Sequence, residues 1–438
     1  MKSDYDAIII GSGIGGLLSG AILCKKGYKP LILEKLSFSG GKFTSFKYMG
    51  FEVPTGAFHA LPGGYHGNIG KLIKYLNLNI EIIQASPSFI AAIDNKNYIV
   101  PIDPRDYKYI FSKDSFFRTL TLREKIELVH LLYIVMYSKC KIPDVSLDKF
   151  VKKYTKSTKL LKLIDRIVAF TNSASIEESS AIDIVSSIRL QEKNFEGVIK
   201  GGCKSLITEL IQFIEENGGI ILRESRVNKI LVEKGKAIGV STEKKSYFSN
   251  LIISNAGPRQ TINLLGSNCP EWLLKKEAQT IPVSGIAYSI SSDKPLLKYR
   301  SVYLPFDVEK ICGYLQITNF DATLSPRDKY YILAYQFIDG DENINDAIKL
   351  GKHELLKLFP QITDDSFFNI NVYRNDWPAT FTQQRSGQTG NQRYPIRLKG
   401  IENLHMIGHD SGGYGFAAEI IGYAVLKLNE MIGEKSIE

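Results

Sequence analysis

The sequence predicts an α/β fold, a parallel sheet flanked by helices and interrupted by an inserted α+β domain. Three observations carry the prediction. A strand, a glycine turn, a helix and a second strand open the chain between Tyr5 and Glu34. A helix, a hairpin and another apolar strand follow between Gly201 and Pro258. A strand, a glycine-rich turn and a helix lie beyond Gly400. Two long stretches of different pattern separate these blocks, as expected when one domain is inserted into another.

The first block reads in register. Tyr5 to Ile10 is a short apolar run of the kind buried in a parallel sheet. Gly11-Ser12-Gly13-Ile14-Gly15-Gly16 gives the spacing GxGxxG, and a helix follows through Leu17, Leu18, Ala21 and Ile22 to Gly27. Pro30 to Leu33 forms the second strand and stops at Glu34. Gly11 permits the turn off the strand, Gly13 lets the main chain approach a diphosphate, and Gly16 lets the helix lie close to the sheet. The helix start, with Ile14 and Gly15 among its first residues, offers free N–H groups and the positive dipole end to that diphosphate. Glu34, followed by Lys35, stands where a carboxylate accepts hydrogen bonds from ribose hydroxyls. This is a Rossmann-type dinucleotide-binding unit.

Composition narrows the remaining classes. The chain has 438 residues, 44% hydrophobic and 23% charged, with a mean hydropathy of −0.08. No apolar stretch approaches the roughly 18–20 residues of a membrane span, and no signal-peptide pattern precedes the first strand. The five cysteines form no CxxC pair and read as reduced thiols, so the expected location is cytoplasmic. They and the six histidines show no metal-ligand spacing. The net charge of +9 suits an anionic partner or a phosphate-bearing ligand. The lysines read as scattered, without a basic stripe interleaved with aromatics, so no nucleic-acid partner is expected.

Gly40-Gly41-Lys42-Phe43-Thr44 follows Glu34 closely. Here the sequence resembles the flavoprotein superfamily that holds amine oxidases and phytoene desaturases, whose members carry a second glycine pair and a basic residue just past the ribose-binding Glu. The resemblance implies FAD as cofactor. It places Gly41, Lys42 and Thr44 near the FAD diphosphate, and Lys42 stands where Arg is usual, keeping the charge and losing the fork. Gly56, Ala57 and Phe58 match the segment along the flavin ring. Gly201-Gly202 opens a helix from Ser205 to Asn217, although Ile199 and Lys200 stand where the family has Pro. The hairpin that follows would bring the Val227 backbone to the adenine. The strand Leu251 to Ser254 leads to Asn255-Ala256-Gly257-Pro258 and adds Ala256. At the C-terminus, Gly408-His409-Asp410 leads to Gly413-Tyr414-Gly415-Phe416-Ala417, where the family has Gly-Asp or Gly-Glu and a helix start facing the flavin. Either His409 or Asp410 could take the acidic position, and Asp410 is favoured. Ile421-Gly422 stands where the family has Ser-Gly. No second GxGxxG follows a strand, so no separate NAD(P)H domain is expected.

The resemblance divides the chain into an FAD-binding domain (1–65, 195–260 and 400–438) and a substrate domain (66–194 and 261–399). In the substrate domain, 66–194 reads as rich in helices. Leu120 to Lys139 reads first as a buried core helix and second as one dipping into a membrane face. Strands are expected at Ser284–Ser291, Tyr330–Phe337 and Phe368–Tyr373, with a helix near Asp346–Phe359. Trp377, Phe381 and Tyr394 are candidates to line a cavity. His59, in the glycine-rich loop past the flavin segment, is the candidate catalytic residue, with His66 behind it.

The phytoene-desaturase-like branch fits best. It implies an FAD-dependent oxidoreductase that desaturates, saturates or isomerises carbon–carbon bonds of an apolar isoprenoid or carotenoid-like substrate. The expected partners are that substrate, a quinone or other electron acceptor, and a membrane surface. An amine oxidase and a non-catalytic prenyl-binding protein share the fold and stand as alternatives.

Overall fold

The computed structural model describes residues 4–56, 58–102, 104–190, 197–338, 341–374 and 384–433. Short apolar runs form a parallel sheet of five strands: β1 (Ala7–Ile10), β2 (Pro30–Leu33), β3 (Ile220–Leu222), β4 (Ile252–Ser254) and β5 (Leu404–Met406). Their order is β3-β2-β1-β4-β5, and Ile9 pairs with Ile32 on one side and Ile253 on the other. β1, β2 and β4 are buried on both faces, which is why they read as unbroken Ile and Leu runs. Helix α1 (Ile14–Lys25) is buried at every position from Ile14 to Cys24 and shares its core with α2 (Asn68–Leu76) and the C-terminal helix Glu419–Met431.

A mixed sheet of seven strands forms the second core. Its order is Phe367–Tyr373, Gly285–Ser292, Tyr330–Phe337, Ile311–Gln316, Val302–Pro305, Phe89–Ile93 and Lys96–Val100. The expected strands and the helix, observed at Ile344–Leu358, fall within two residues of their sequence bounds. The region 66–194 is rich in helices, as its pattern reads, and it also supplies two strands of this sheet. Asp94 and Asn95, at φ 48° and 59°, make the two-residue turn of that hairpin, and their side-chain types were its signal.

Four helices stand beside this sheet: α3 (Leu122–Met136), α4 (Leu147–Val151), α5 (Thr158–Asn172) and α6 (Ala181–Leu190). A capping box of Thr121 and Glu124 opens α3, and Ser157 caps α5. The core reading of α3 holds for one face only: Leu128 and Leu131 are buried, while Leu122, Ile126, Val129 and Tyr133 are exposed. Helix α7 (Cys203–Glu216) then leads back to β3. No helix among the described residues is long and apolar enough to cross a membrane. All five cysteines are free thiols, and no metal-binding cluster occurs among the described residues.

Candidate active site

One cavity of about 540 Å³ runs from the β1–α1 turn, past the glycine-rich C-terminal turn, to the space between α3, α5 and α6. Its first end is shaped by close main-chain approach. Gly11 has φ +93°, and a Cβ on Gly16 would lie 2.1 Å from the Gly11 carbonyl oxygen, so only glycine lets α1 start this near the strand. No side chain caps α1 at Gly13. Its first N–H groups are therefore left for an anion. At the end of β2 Glu34 is buried, and its carboxylate is fixed from both sides. Ser12 donates to Oε2 through its N–H and its hydroxyl, each at 2.8 Å, and the Leu36 N–H donates to Oε1 at 2.9 Å.

The second glycine pair docks on the first turn. The Gly40 N–H donates to the Ser12 carbonyl at 2.8 Å, and Gly41 follows with φ +57°. Gly56 passes so close that a Cβ would meet the Lys42 carbonyl oxygen at 2.6 Å. Burial pulls the Lys42 ammonium down to about 8, opposed by the charge of Asp410.

Of the residues expected around a cofactor, the cavity is lined by Gly11, Gly13, Ile14, Gly15, Glu34, Lys35, Gly41, Lys42, Gly56, Phe58, Val227, Ala256, Gly408, Asp410 and Phe416. Gly16 and Thr44 stand behind it. Thr44 braces the loop, with its N–H on the Thr55 hydroxyl at 3.2 Å. Ala57 lies outside the described residues, as do Trp377 and Phe381.

Two histidines and a tyrosine are placed otherwise than expected. His59 is fully buried away from the cavity. Its Nδ1 accepts from the Cys203 N–H at 3.1 Å, so Nε2 carries the proton and donates to the Glu52 carbonyl at 2.8 Å. Burial lowers its pKa to about 4. This neutral ring caps α7 and joins it to the neighbouring strand, which corrects the catalytic reading. His66 is exposed in a short turn. Tyr394 is core, its hydroxyl donating to Glu277 at 2.6 Å.

Behind the C-terminal turn lies a buried polar network that sequence reasoning missed. Arg393 donates to the His409 carbonyl at 2.8 Å and pairs with Asp183 of α6 at 3.8 Å. The Gln384 amide donates to Asp183 at 2.7 Å and to the Gly415 carbonyl at 2.9 Å, and the Gly415 N–H donates to the Ser187 hydroxyl at 2.8 Å. Burial raises the Asp183 pKa to about 6, against the pull of Arg393. Burial, with Arg393 and Lys42 close by, holds His409 neutral, well below its ordinary value. In sequence, Asp183 looked like any carboxylate in a first helical turn, so no local signal marked the network. Its opposite neighbours on α6, Ile184, Val185 and Ile188, line the cavity. One helix thus holds the glycine turn with one face and the chamber with the other.

The far end of the cavity is apolar. It is walled by α3 through Leu128, Leu131 and Val135, by α5 through Leu163, Ile167 and Val168, and by α6. Phe58, Phe170 and Tyr335 meet at tilted angles of 45° and 60° and do not form a parallel pair across a gap. The only carboxylates among the described lining residues are Glu34 and Asp410, both in the glycine-rich part.

Fold and cavity together define the class: a protein built on a dinucleotide-binding sheet, with an apolar chamber beyond the nucleotide turns. A family description, NAD(P)-binding Rossmann-like domain, matches residues 9–76. The chain is 29% identical over 372 residues to an uncharacterized protein of Methanocaldococcus jannaschii, covering 85% of this chain and 86% of that one. It is a homologue of prolycopene isomerase 2 from an Oncidium hybrid, 26% identical with 58% of this chain and 48% of the relative covered. It is likewise related to all-trans-retinol 13,14-reductase of Danio rerio, 26% identical with 64% and 51% covered. The chain spans about half the length of these two relatives. Among solved structures, an oxidoreductase from Methanosarcina mazei superimposes with a TM-score of 0.85 at 25% identity, covering 97% of this chain and 99% of that one. A putrescine oxidase shares the fold at 12% identity, with a TM-score of 0.69 and 98% of each chain covered.

Proposed function

We propose that this protein is an FAD-dependent oxidoreductase that desaturates, saturates or isomerises carbon–carbon bonds of an apolar, isoprenoid or carotenoid-like substrate. The residues present fit the cofactor. The uncapped start of α1 and the main chain of Gly13 and Gly41 suit a diphosphate, the fixed Glu34 carboxylate suits ribose hydroxyls, and Lys42 supplies a cation beside them. Bound there, FAD would supply a hydride acceptor or donor at N5. The chain's part is to order an apolar molecule in the chamber and exclude water. A quinone or another lipid-soluble acceptor suits the same chamber.

The observation that carries the substrate class is the lack of carboxylates in the apolar part of the lining among the described residues. An amine would enter as a cation and would leave its charge unpaired there. The retained glycine set disfavours the non-catalytic prenyl-binding alternative. The test is a spectrum and an assay. The purified protein should take up FAD and show flavin absorbance, and isoprenoid polyenes should exchange electrons with it under anaerobic conditions. A colourless protein that binds no FAD sinks the cofactor reading. Hydrogen peroxide release with simple amines, and no polyene conversion, sinks the substrate reading.

A further inference from the structure

Helix α3 is apolar on two sides. Leu128, Leu131 and Val135 face the chamber. Leu122, Ile126, Val129 and Tyr133, spaced four, three and four residues apart along one stripe, are 75%, 63%, 55% and 58% exposed. Tyr137, one turn on, continues the stripe, and Phe111, earlier in the same segment, is 90% exposed.

The charge around this helix is not scattered, which corrects the sequence reading. Residues 104–162 hold 14 Lys and Arg against 6 Asp and Glu, so this segment carries +8 of the chain's +9. The helix's own acids are engaged by neighbours: Glu124 accepts from the Ser157 hydroxyl at 2.5 Å, and Glu127 from the Thr155 hydroxyl at 2.6 Å and from Arg123 at 2.8 Å. The two hydroxyl bonds hold the α4–α5 turn, with exposed Lys152, Lys153 and Lys156, against the flank of α3. Lys159 donates to the Thr119 carbonyl at 2.6 Å and ties the start of α5 to the other end of the connection.

We propose that the outer face of α3 docks on an anionic lipid bilayer, with the 104–162 cations at the headgroups and Leu122, Ile126, Val129 and Tyr133 in the interface. An apolar stripe bordered by Lys and Arg is the pattern of a helix lying in the plane of a membrane. A second copy of this chain would set the same +8 segments against each other, which disfavours a self-dimer on this face. Only the thickness of one helix then separates lipid from the chamber, so an apolar substrate has a short path that avoids water. The docking extends the proposed function but does not need turnover to be seen.

The test is vesicle flotation of the full chain with phosphatidylcholine alone and with phosphatidylcholine plus phosphatidylglycerol. Binding is expected only to the anionic vesicles and should weaken with salt. Replacing Lys152, Lys153 and Lys156 by Gln should weaken it on the order of a hundredfold. Ile126→Glu with Val129→Glu should abolish it at unchanged Tm and unchanged flavin content. Tyr133→Trp should show a blue shift in fluorescence on adding anionic vesicles. No flotation at low salt overturns the docking, as does a concentration-dependent dimer that the Glu variant disperses while vesicles stay unbound. Either failure leaves FAD uptake and polyene conversion to be judged on their own.

Discussion

At the Glu34 end of the cavity, position is set by the main chain: N–H groups, carbonyls and glycines whose missing Cβ atoms leave no alternative. At the α3 end it is set by the bulk of Leu, Val and Ile side chains on α3, α5 and α6. The two ends therefore tolerate change differently. A backbone cradle fails outright when one atom is added, whereas an apolar wall adjusts and changes what it fits.

The sharpest way to break the contrast is Gly16→Val. Its Cβ would overlap the Gly11 carbonyl at 2.1 Å, and complete loss of bound flavin is expected, read as the flavin-to-protein absorbance ratio. Asp183→Ala comes next. It removes one of the acidic groups near buried Arg393 and the acceptor of the Gln384 amide, and should cost about 3 kcal/mol, seen in urea unfolding. If instead stability holds, the network behind the glycine turn is not what fixes it. Ile188→Phe probes the wall: flavin content should stay at the wild-type level while KM for a bulky polyene rises on the order of tenfold. Equal loss of flavin in this variant would mean the two ends are not separable.

Two pH dependences come last, and they have opposite signs. Glu419 accepts from the N–H groups of Asn68 and Ile69 at the start of α2, and burial raises its pKa from 4.5 to about 8. The folded form thus holds the proton more tightly, and its contribution is full below pH 4.5 and lost as pH rises to about 8. Glu419→Gln should flatten the fall in Tm across that range. His59 runs the other way. Its pKa drops from 6.5 to about 4 on folding, so its contribution is present above pH 6.5 and lost as pH falls toward 4. His59→Gln should flatten that acid-side loss and leave turnover intact, and a collapse of kcat at unchanged stability would restore His59 to the chemistry.

The same contrast explains what could be read from sequence. Gly11 to Gly16, Glu34 and Gly40-Gly41 are legible because a main-chain cradle restricts residue type at each position. Leu131, Val168 and Ile188 are not, since any branched apolar residue on a helix looks like ordinary core. The Asp183–Gln384–Arg393 network is illegible for another reason: Asp183 and Gln384 lie 201 residues apart and Arg393 another 9 on, and no local pattern joins them. His59 misled because a loop histidine past a glycine run looks available, and only the fold shows Cys203 and Glu52 on its two nitrogens.

The strand order β3-β2-β1-β4-β5 has a consequence for synthesis. β1 is made first, yet β4 must arrive beside it from residues 252–254 and β5 must arrive from residues 404–406. Such pairings between distant segments form late. The N-terminal glycine turn therefore leaves the ribosome long before the Gly408–Phe416 turn that closes over the same cavity. A site lined by both turns is complete only after residues 404–416 have been made.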